Sequence, residues 1–290
     1  MFKLGFRQYM LNRYKRSGDA IILHYECAID GDFDWCNITK NNIERYQRYL
    51  SENIAPSSAN TYLSILLTYI KRYAMDNGLK LPIGLHDIKK LKCGKSQSTY
   101  LTERDIKLFS KYIPENDMEY YVHRLFFICL LTGCRLSDAK EITLSKVCNG
   151  KFSYVAQKTK SLSSEMTIDD NILSILKDER YVRMQEQGCQ LNTFIKHLKR
   201  ICEKIGLTDN ITLYQKGKYI TKRKCDFITS HVGRRSAATN LYMRNPSSLL
   251  NISRMLGHSS TSQTEQYIKC VTEDTKSMRD YRSGFSLSGY

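Results

Sequence analysis

The sequence predicts a mainly α-helical protein with a small β-sheet, divided into two domains. Helical periodicity with recognisable start and stop residues recurs along most of the chain. Alternation typical of a β-strand appears in one short stretch, and four prolines in 290 residues leave little irregular chain. A polar, basic segment at residues 93–98 predicts a linker between a first domain, 1–92, and a second domain, 99–290.

The first predicted domain is helical. Thr39 is placed to cap a helix that carries Ile43, Tyr46 and Leu50 at helical spacing. A second helix is predicted to begin at Pro56 and to end at Asn77–Gly78. Its aromatic and apolar stripe is predicted to be core rather than a surface for stacking on bases, and it consists of Tyr62, Leu66, Tyr69, Ile70 and Tyr73.

The second predicted domain combines helices with the small sheet. Thr102 and Asp105 have the spacing of a capping box, and an apolar helix is predicted to end at Thr132–Gly133. Phe152–Gln157 alternates like a strand and is predicted to pair with Glu165–Ile168 in a hairpin. The remaining predicted helices are Asn192–Ile205, His231–Met243 with Ser230 as its cap, Leu249–Leu256 ending at Gly257, and Ser262–Cys270.

The charge balance indicates a polyanionic partner. Lys and Arg number 45 against 29 Asp and Glu, a formal net charge of +16, and the excess lies on both sides of residue 98. The ten cysteines lack zinc-ligand spacing and contain no CxxC pair, so no metal site is predicted. No signal peptide and no apolar run of membrane-spanning length is apparent, and we therefore expect a cytoplasmic protein without a membrane partner.

Five short patterns with chemically useful side chains follow one another in a fixed order. Thr132-Gly133-Cys134-Arg135 comes first, and Lys158 then lies in the predicted hairpin. His231-Val232-Gly233-Arg234 sets a histidine and an arginine three apart on one helix face. Leu256-Gly257-His258 follows, and Tyr267 lies nine residues after His258. Each pattern alone is weak, whereas the ordered set is specific.

This order of TGxR, hairpin lysine, HxxR, LGH and tyrosine resembles the tyrosine recombinase family, also called the phage integrases. The likeness is specific in Leu131–Asp138, His231–Thr239 and Leu256–Tyr267. In pattern alone, the first domain resembles the family's helical, SAM-like core-binding domain. The resemblance implies a two-domain, C-shaped clamp in which this core-binding domain and an α+β catalytic domain cover opposite faces of a DNA duplex.

The resemblance also implies a role for each matched residue. Arg135 and Arg234 correspond to the two catalytic arginines, Lys158 to the hairpin lysine, and Tyr267 to the nucleophile. His231 and His258 fill the two histidine positions; we expect His231 to accept a proton and His258 to donate a hydrogen bond to the phosphate. Asp138 stands where many members have Glu and is expected to play a supporting part. The sequence leaves open whether Lys158 or Lys160 reaches the scissile bond.

The implied reaction needs these residue types together. Two guanidinium groups can neutralise the charge that grows on the oxygens of an attacked phosphodiester. A tyrosine hydroxyl, whose pKa is ordinarily about 10, needs such a field and a nearby base before it attacks at neutral pH, and a lysine can protonate the departing 5′ oxygen. The expected product is a 3′-phosphotyrosine with a free 5′ hydroxyl, and the scheme calls for no nucleotide cofactor or metal.

Two alternative functions remain open from the sequence. A type IB topoisomerase would use the same chemistry to reseal a single strand, and a regulator would bind DNA on this scaffold without catalysis. For a recombinase, the implied partners are double-stranded DNA and further copies of the chain, a dimer on each site and a tetramer in the synapse. The sequence does not identify the DNA site, any accessory protein, or a choice among integration, excision, inversion and resolution.

Overall fold

The computed structural model describes residues 5–153, 165–258 and 260–268, apart from the side chains of residues 15 and 16. The chain forms two compact units. One comprises Met1–Ser96 with Tyr214–Tyr219, and the other comprises Gln97–Leu213 with Ile220–Tyr290. The described residues are mainly helical with two small antiparallel sheets, which confirms the predicted fold class. The assignment of Tyr214–Tyr219 to the first unit was not foreseen from the sequence.

Three helices build the first unit: α1 (Phe6–Ile29), α2 (Lys40–Asn53) and α3 (Pro56–Asn77). Helix α2 begins as predicted, because the Thr39 hydroxyl accepts a hydrogen bond from the Asn42 amide at 3.2 Å. No element corresponding to α1 was predicted from the sequence. This helix starts after Gly5 without a side-chain cap, so the usual local start signal is missing.

Aromatic side chains form the core of the first unit. The rings of Phe6 and Phe33 stack with their centroids 4.8 Å apart, and the hydroxyl of Tyr69 donates a hydrogen bond to the Phe6 carbonyl. Tyr46 and Tyr69 are fully buried. The α3 stripe is core, as predicted, since four of its five members are buried and Tyr62 is half-buried.

The described elements between Glu103 and Ile268 include nine α-helices and two hairpins. They are α4 (Glu103–Ser110), α5 (Asp117–Thr132), α6 (Leu136–Ala139), β1 (Lys151–Phe152), β2 (Met166–Thr167), α7 (Asp170–Lys177), α8 (Glu179–Gln187), α9 (Leu191–Lys204), β3 (Asn210–Gln215), β4 (Lys218–Arg223), α10 (Ser230–Arg244), α11 (Leu249–Met255) and α12 (Thr261–Ile268).

The first hairpin pairs β1 with β2 antiparallel, Lys151 opposite Thr167 and Phe152 opposite Met166. The predicted strand Phe152–Gln157 runs into residues 154–164, which lie outside the described residues, as do Lys158 and Lys160. The capping box of α4 is present as predicted, with Thr102 and Asp105 as its members. Helices α7 and α8 and the β3–β4 hairpin were not predicted.

Helix α5 lies at the centre of the second unit and packs against α8, α9 and α10. Its side chains Tyr121, Phe126 and Cys129 are fully buried, so Cys129 is a core residue. Gly233 lets α10 come close, because a Cβ at this position would lie 2.9 Å from the Cβ of Cys129. This close packing brings the end of α5 beside the first turn of α10.

The predicted cap of α10 is wrong by one residue. The helix begins at Ser230, so Thr229 rather than Ser230 is the N-cap residue. Thr229 keeps an extended backbone, φ −136° and ψ 171°, and its side chain makes no capping hydrogen bond. Within the described ranges, none of the helices combines the length and the apolar character that a membrane span requires.

Candidate active site

The site is built around Gly133, where α5 ends. Gly133 has a φ of +68°, a left-handed conformation that favours glycine. A Cβ there would lie 2.8 Å from Cδ2 of Leu256 and 3.5 Å from the Cβ of Ala237. Gly133 therefore lets the end of α5 approach both α10 and the residue after α11. Arg135 follows two residues later and is the N-cap residue of α6.

Arg135 and Asp138 form a nearly buried ion pair. Nη1 of Arg135 lies 3.7 Å from Oδ2 of Asp138, and the two side chains are 14% and 1% exposed. At this distance the contact is electrostatic, and Nη1 makes no hydrogen bond to any described residue. Asp138 thus compensates the charge of Arg135 while leaving Nη1 without a hydrogen-bond acceptor in the part of the chain that the structure describes.

Arg234, in the second turn of α10, has no exposed surface. Its Nη1 donates to the Gly133 carbonyl at 2.9 Å, and its Nη2 donates to the Leu256 carbonyl. Gly133 and Leu256 are the C-cap residues of α5 and α11, so the guanidinium donates hydrogen bonds to carbonyl groups at two helix C-termini. The partial negative charge there stabilises a buried cation. Nε of Arg234 is buried without a hydrogen-bond partner among the described residues.

His258 connects Arg234 to helix α12. Its Nε2 lies 2.9 Å from Nη2 of Arg234, and its Nδ1 lies 2.8 Å from the hydroxyl of Thr264. A guanidinium can only donate, so Nε2 accepts and Nδ1 carries the proton of a neutral imidazole. Burial, together with Arg234 and Arg135, lowers the pKa of His258 to about 4. Its predicted donation of a hydrogen bond to a phosphate therefore requires a change from this arrangement, in which both ring nitrogens are engaged.

Tyr267 lies on α12 with its ring against this cluster. The ring centroids of Tyr267 and His258 are 5.3 Å apart, and Cζ of Arg234 lies 5.8 Å from the Tyr267 centroid. The half-buried ring also packs on the small apolar cluster of Ala238, Ile252 and Leu256. Arg135 belongs to the same neighbourhood because its charge acts on His258. Four predicted residues, Arg135, Arg234, His258 and Tyr267, are thus brought together from three separate parts of the sequence.

The other predicted residues have different positions. His231 is the second residue of α10, exposed, one helical turn before Arg234. The structure thus gives it solvent access. The general-acid candidates Lys158 and Lys160 lie outside the described residues.

Several contributors were not identified from the sequence. The carbonyls of Gly133 and Leu256 hold Arg234, but a main-chain acceptor leaves no mark in the residue types. Thr264 is buried and orients His258. The sequence signal that could have identified it is its position three residues before Tyr267, on the same face of α12. Chemically, the cluster offers two cations, a neutral imidazole and a phenol hydroxyl, a combination suited to an anionic electrophile such as a phosphodiester.

Comparison with known proteins agrees with this chemistry. Residues 99–273 match the model of the phage integrase family. The integrase of Escherichia phage P2 is 24% identical over 257 residues, and the match covers 85% of this chain and 66% of that protein. The chain therefore spans just under two thirds of the length of this relative.

Solved structures show the same fold at low sequence identity. A lambda integrase dimer bound to a COC′ core site has a TM-score of 0.64 at 17% identity, covering 92% of this chain and 94% of that chain. The XerH site-specific recombinase bound to palindromic difH substrate, in a post-cleavage complex, has a TM-score of 0.66 at 17% identity, covering 95% and 79%.

Proposed function

This chain belongs to the phage integrase family, and on that premise we propose that it is a site-specific DNA recombinase. It cleaves and rejoins DNA strands through a covalent 3′-phosphotyrosine at Tyr267. The observation that carries the proposal is the contact of the Tyr267 ring with His258 and Arg234, beside the Arg135–Asp138 pair. A nucleophile, two cations and an imidazole within one cluster are the groups that phosphodiester cleavage needs.

In the proposed reaction, the hydroxyl oxygen of Tyr267 attacks the scissile phosphorus and the 5′ oxygen leaves. Arg135 and Arg234 neutralise the charge on the non-bridging oxygens. His231 takes the tyrosine proton, and Lys158 or Lys160 gives a proton to the leaving oxygen. The phosphotyrosine retains the energy of the broken bond, so a 5′ hydroxyl from another strand can reverse the step and seal a recombinant junction.

The burial of Arg234 adds a requirement to this scheme. No part of this side chain is exposed, and its Nη atoms are occupied by two carbonyls and His258. His258 occupies Nη2, so a phosphate reaches this donor only after the imidazole has moved. A phosphate that approaches His258 would also favour the protonated imidazole, which converts Nε2 into a donor. The proposed cycle therefore begins with a rearrangement of His258.

Double-stranded DNA is the proposed substrate, and the charge of +16 supports phosphate binding by many lysines and arginines. Exchange between two duplexes cuts two strands in each, so four tyrosines are needed. We therefore infer a dimer on each site and a tetramer in the synapse, acting in the cytoplasm. The predicted clamp, in which each unit covers one face of the duplex, stays a prediction.

Covalent capture from a DNA library tests the proposal whatever the target sequence is. The chain is incubated with duplexes of random sequence that carry a nick, so that a short 5′-hydroxyl fragment diffuses away after cleavage. Protein–DNA adducts are isolated under denaturing conditions and the bound DNA is sequenced. We expect a recurring inverted-repeat sequence joined to Tyr267. A library without covalent enrichment would contradict the proposal.

Two comparisons complete the test. Tyr267→Phe should bind the selected duplex with unchanged affinity but form no adduct; Tyr242→Phe, on α10, is the matched control and should form adducts normally. The rival topoisomerase function is tested with supercoiled plasmids. A recombinase should exchange strands between two copies of the selected site, whereas relaxation of a plasmid lacking that site would favour a topoisomerase.

A further inference from the structure

Arg235 directly follows Arg234 on α10 and faces the same aromatic ring. Its Cζ lies 5.5 Å from the centroid of the Tyr267 ring, within the range of a cation–π contact. The side chain is half-buried, and its Nε is buried without a hydrogen-bond partner among the described residues. Two consecutive arginines therefore lie against one phenol ring.

The two arginines differ in what holds them. Arg234 has two carbonyls and His258 as partners, so its position does not depend on Tyr267. Arg235 forms no hydrogen bond and no ion pair with the part of the chain that the structure describes, and its guanidinium meets the Tyr267 ring. Burying part of a cation without a neighbouring carboxylate lowers stability. The position of Arg235 therefore calls for a functional explanation.

We propose that Arg235 is a positioning residue that holds the ring of Tyr267 over the catalytic cluster; this inference rests on the proposed function. Tyr267 lies on α12, and the Thr239 hydroxyl donates a long hydrogen bond, 3.5 Å, to the Tyr267 carbonyl. His258 and Arg234 contact the ring, and Arg235 adds a second cation at a slightly shorter distance.

The physical basis is orientation. Attack on phosphorus needs the tyrosine oxygen at a defined distance and angle, and small displacements of a reacting group slow such reactions strongly. A cation attracted to the ring limits its rotation and translation without using the hydroxyl, which stays available for attack. Arg235 thus affects the rate of cleavage rather than the affinity for DNA.

The alternative is that Arg235 binds a DNA phosphate directly. In that case its removal would weaken DNA binding and reduce the dependence of affinity on salt concentration by about one phosphate contact. A positioning role predicts a slower cleavage rate at unchanged affinity, whereas a phosphate contact predicts a weaker affinity. Measuring both quantities separates the two roles.

Three variants are compared on the duplex selected by covalent capture. Arg235→Met removes the charge at similar length, and Arg235→Lys keeps the charge. Arg244→Met is the matched control, because Arg244 lies on the same helix, is 70% exposed and pairs with Glu103. We expect Arg235→Met to slow adduct formation about tenfold at saturating DNA, Arg235→Lys to remain within about threefold, and Arg244→Met to be unchanged. Affinity and its salt dependence should stay constant throughout.

A second measurement does not depend on activity. Tyr267 is replaced by 3-fluorotyrosine in the full chain, and its ¹⁹F resonance is recorded without DNA. The resonance should move and broaden in Arg235→Met, move little in Arg235→Lys, and stay constant in Arg244→Met. An unchanged resonance in Arg235→Met, an unchanged cleavage rate, or a loss of affinity with a reduced salt dependence would each overturn the inference. If the parent chain forms no adduct with any DNA, the proposed function fails, and the ¹⁹F comparison alone decides the position of the ring.

Discussion

Replacing Gly133 with alanine tests the arrangement on which the site is built. Gly133 ends α5 in the left-handed region, contacts Leu256, and supplies a carbonyl to Arg234. Alanine keeps the main chain and adds one methyl group. We expect Gly133→Ala to lower the free energy of unfolding and to slow covalent capture of DNA.

The magnitude has two sources. A residue with a Cβ costs about 1–2 kcal/mol in the left-handed region. The added methyl group would also lie 2.8 Å from Cδ2 of Leu256, which is fully buried and has little room to move, and overpacking of this kind costs about 1–3 kcal/mol. Allowing for a partial shift of Leu256, we expect a total loss of about 2–4 kcal/mol.

Urea unfolding followed by circular dichroism measures this loss, with Gly206→Ala as the matched control. Gly206 also has a positive φ, +85°, but a Cβ there meets nothing within 4 Å, so backbone strain alone of about 1–2 kcal/mol is expected. Trp35, the one tryptophan of the chain, lies in the first unit, and its fluorescence reports that unit separately. Equal losses of unfolding free energy in the two variants would show that the close approach of Gly133 to Leu256 does not contribute to stability.

Three further predictions concern the partners of the cluster. The pKa of His258 is about 4 in the folded chain and ordinarily 6.5. At pH values between these two, the imidazole binds a proton in the unfolded chain but not in the folded chain. The free energy of unfolding should therefore fall as the pH drops from 7 to 4. His258→Asn should make this fall shallower in scanning calorimetry; a slope equal to that of the parent chain would contradict the assigned burial of a neutral imidazole. Thr264→Val removes the acceptor of the His258 Nδ1 proton and should cost about 1 kcal/mol of unfolding free energy, whereas Thr264→Ser should stay near the parent value. Asp138→Asn removes the charge beside Arg135 and should cost about 2 kcal/mol, while Glu141→Gln, in an exposed pair with Lys146, should change stability by less than about 0.5 kcal/mol.

The elements that could be predicted are those with a local chemical signal. Thr39 and Thr102 mark helix starts because their hydroxyls can accept from amides three residues later, and both do so. Gly133 marks a helix end because it can adopt a positive φ. Helix α1 lacks such a signal, since Gly5 provides no side-chain acceptor. The β3–β4 hairpin also escaped prediction: its strands consist of half-buried and exposed residues without a regular buried face, so no apolar alternation marks them.

The candidate site divides in the same way. The types and order of Arg135, Arg234, His258 and Tyr267 are visible in the sequence because the family resemblance depends on them. Their contacts are not visible, because they arise from packing between distant segments. The neutral form of His258 follows from the direction of two hydrogen bonds, and the total burial of Arg234 follows from the close approach of α5 and α11. Neither property has a sequence pattern.

The attachment of Arg234 to peptide oxygens has a consequence for how such a protein can change. Every amino acid supplies the same carbonyl group, so the acceptors of this guanidinium survive most substitutions at Leu256 that keep the backbone in place. In the proposed recombinase, mutations that alter the surfaces meeting DNA can then accumulate without displacing the charge at the reactive centre. A chain built in this way can acquire a new target sequence while its cutting chemistry stays the same.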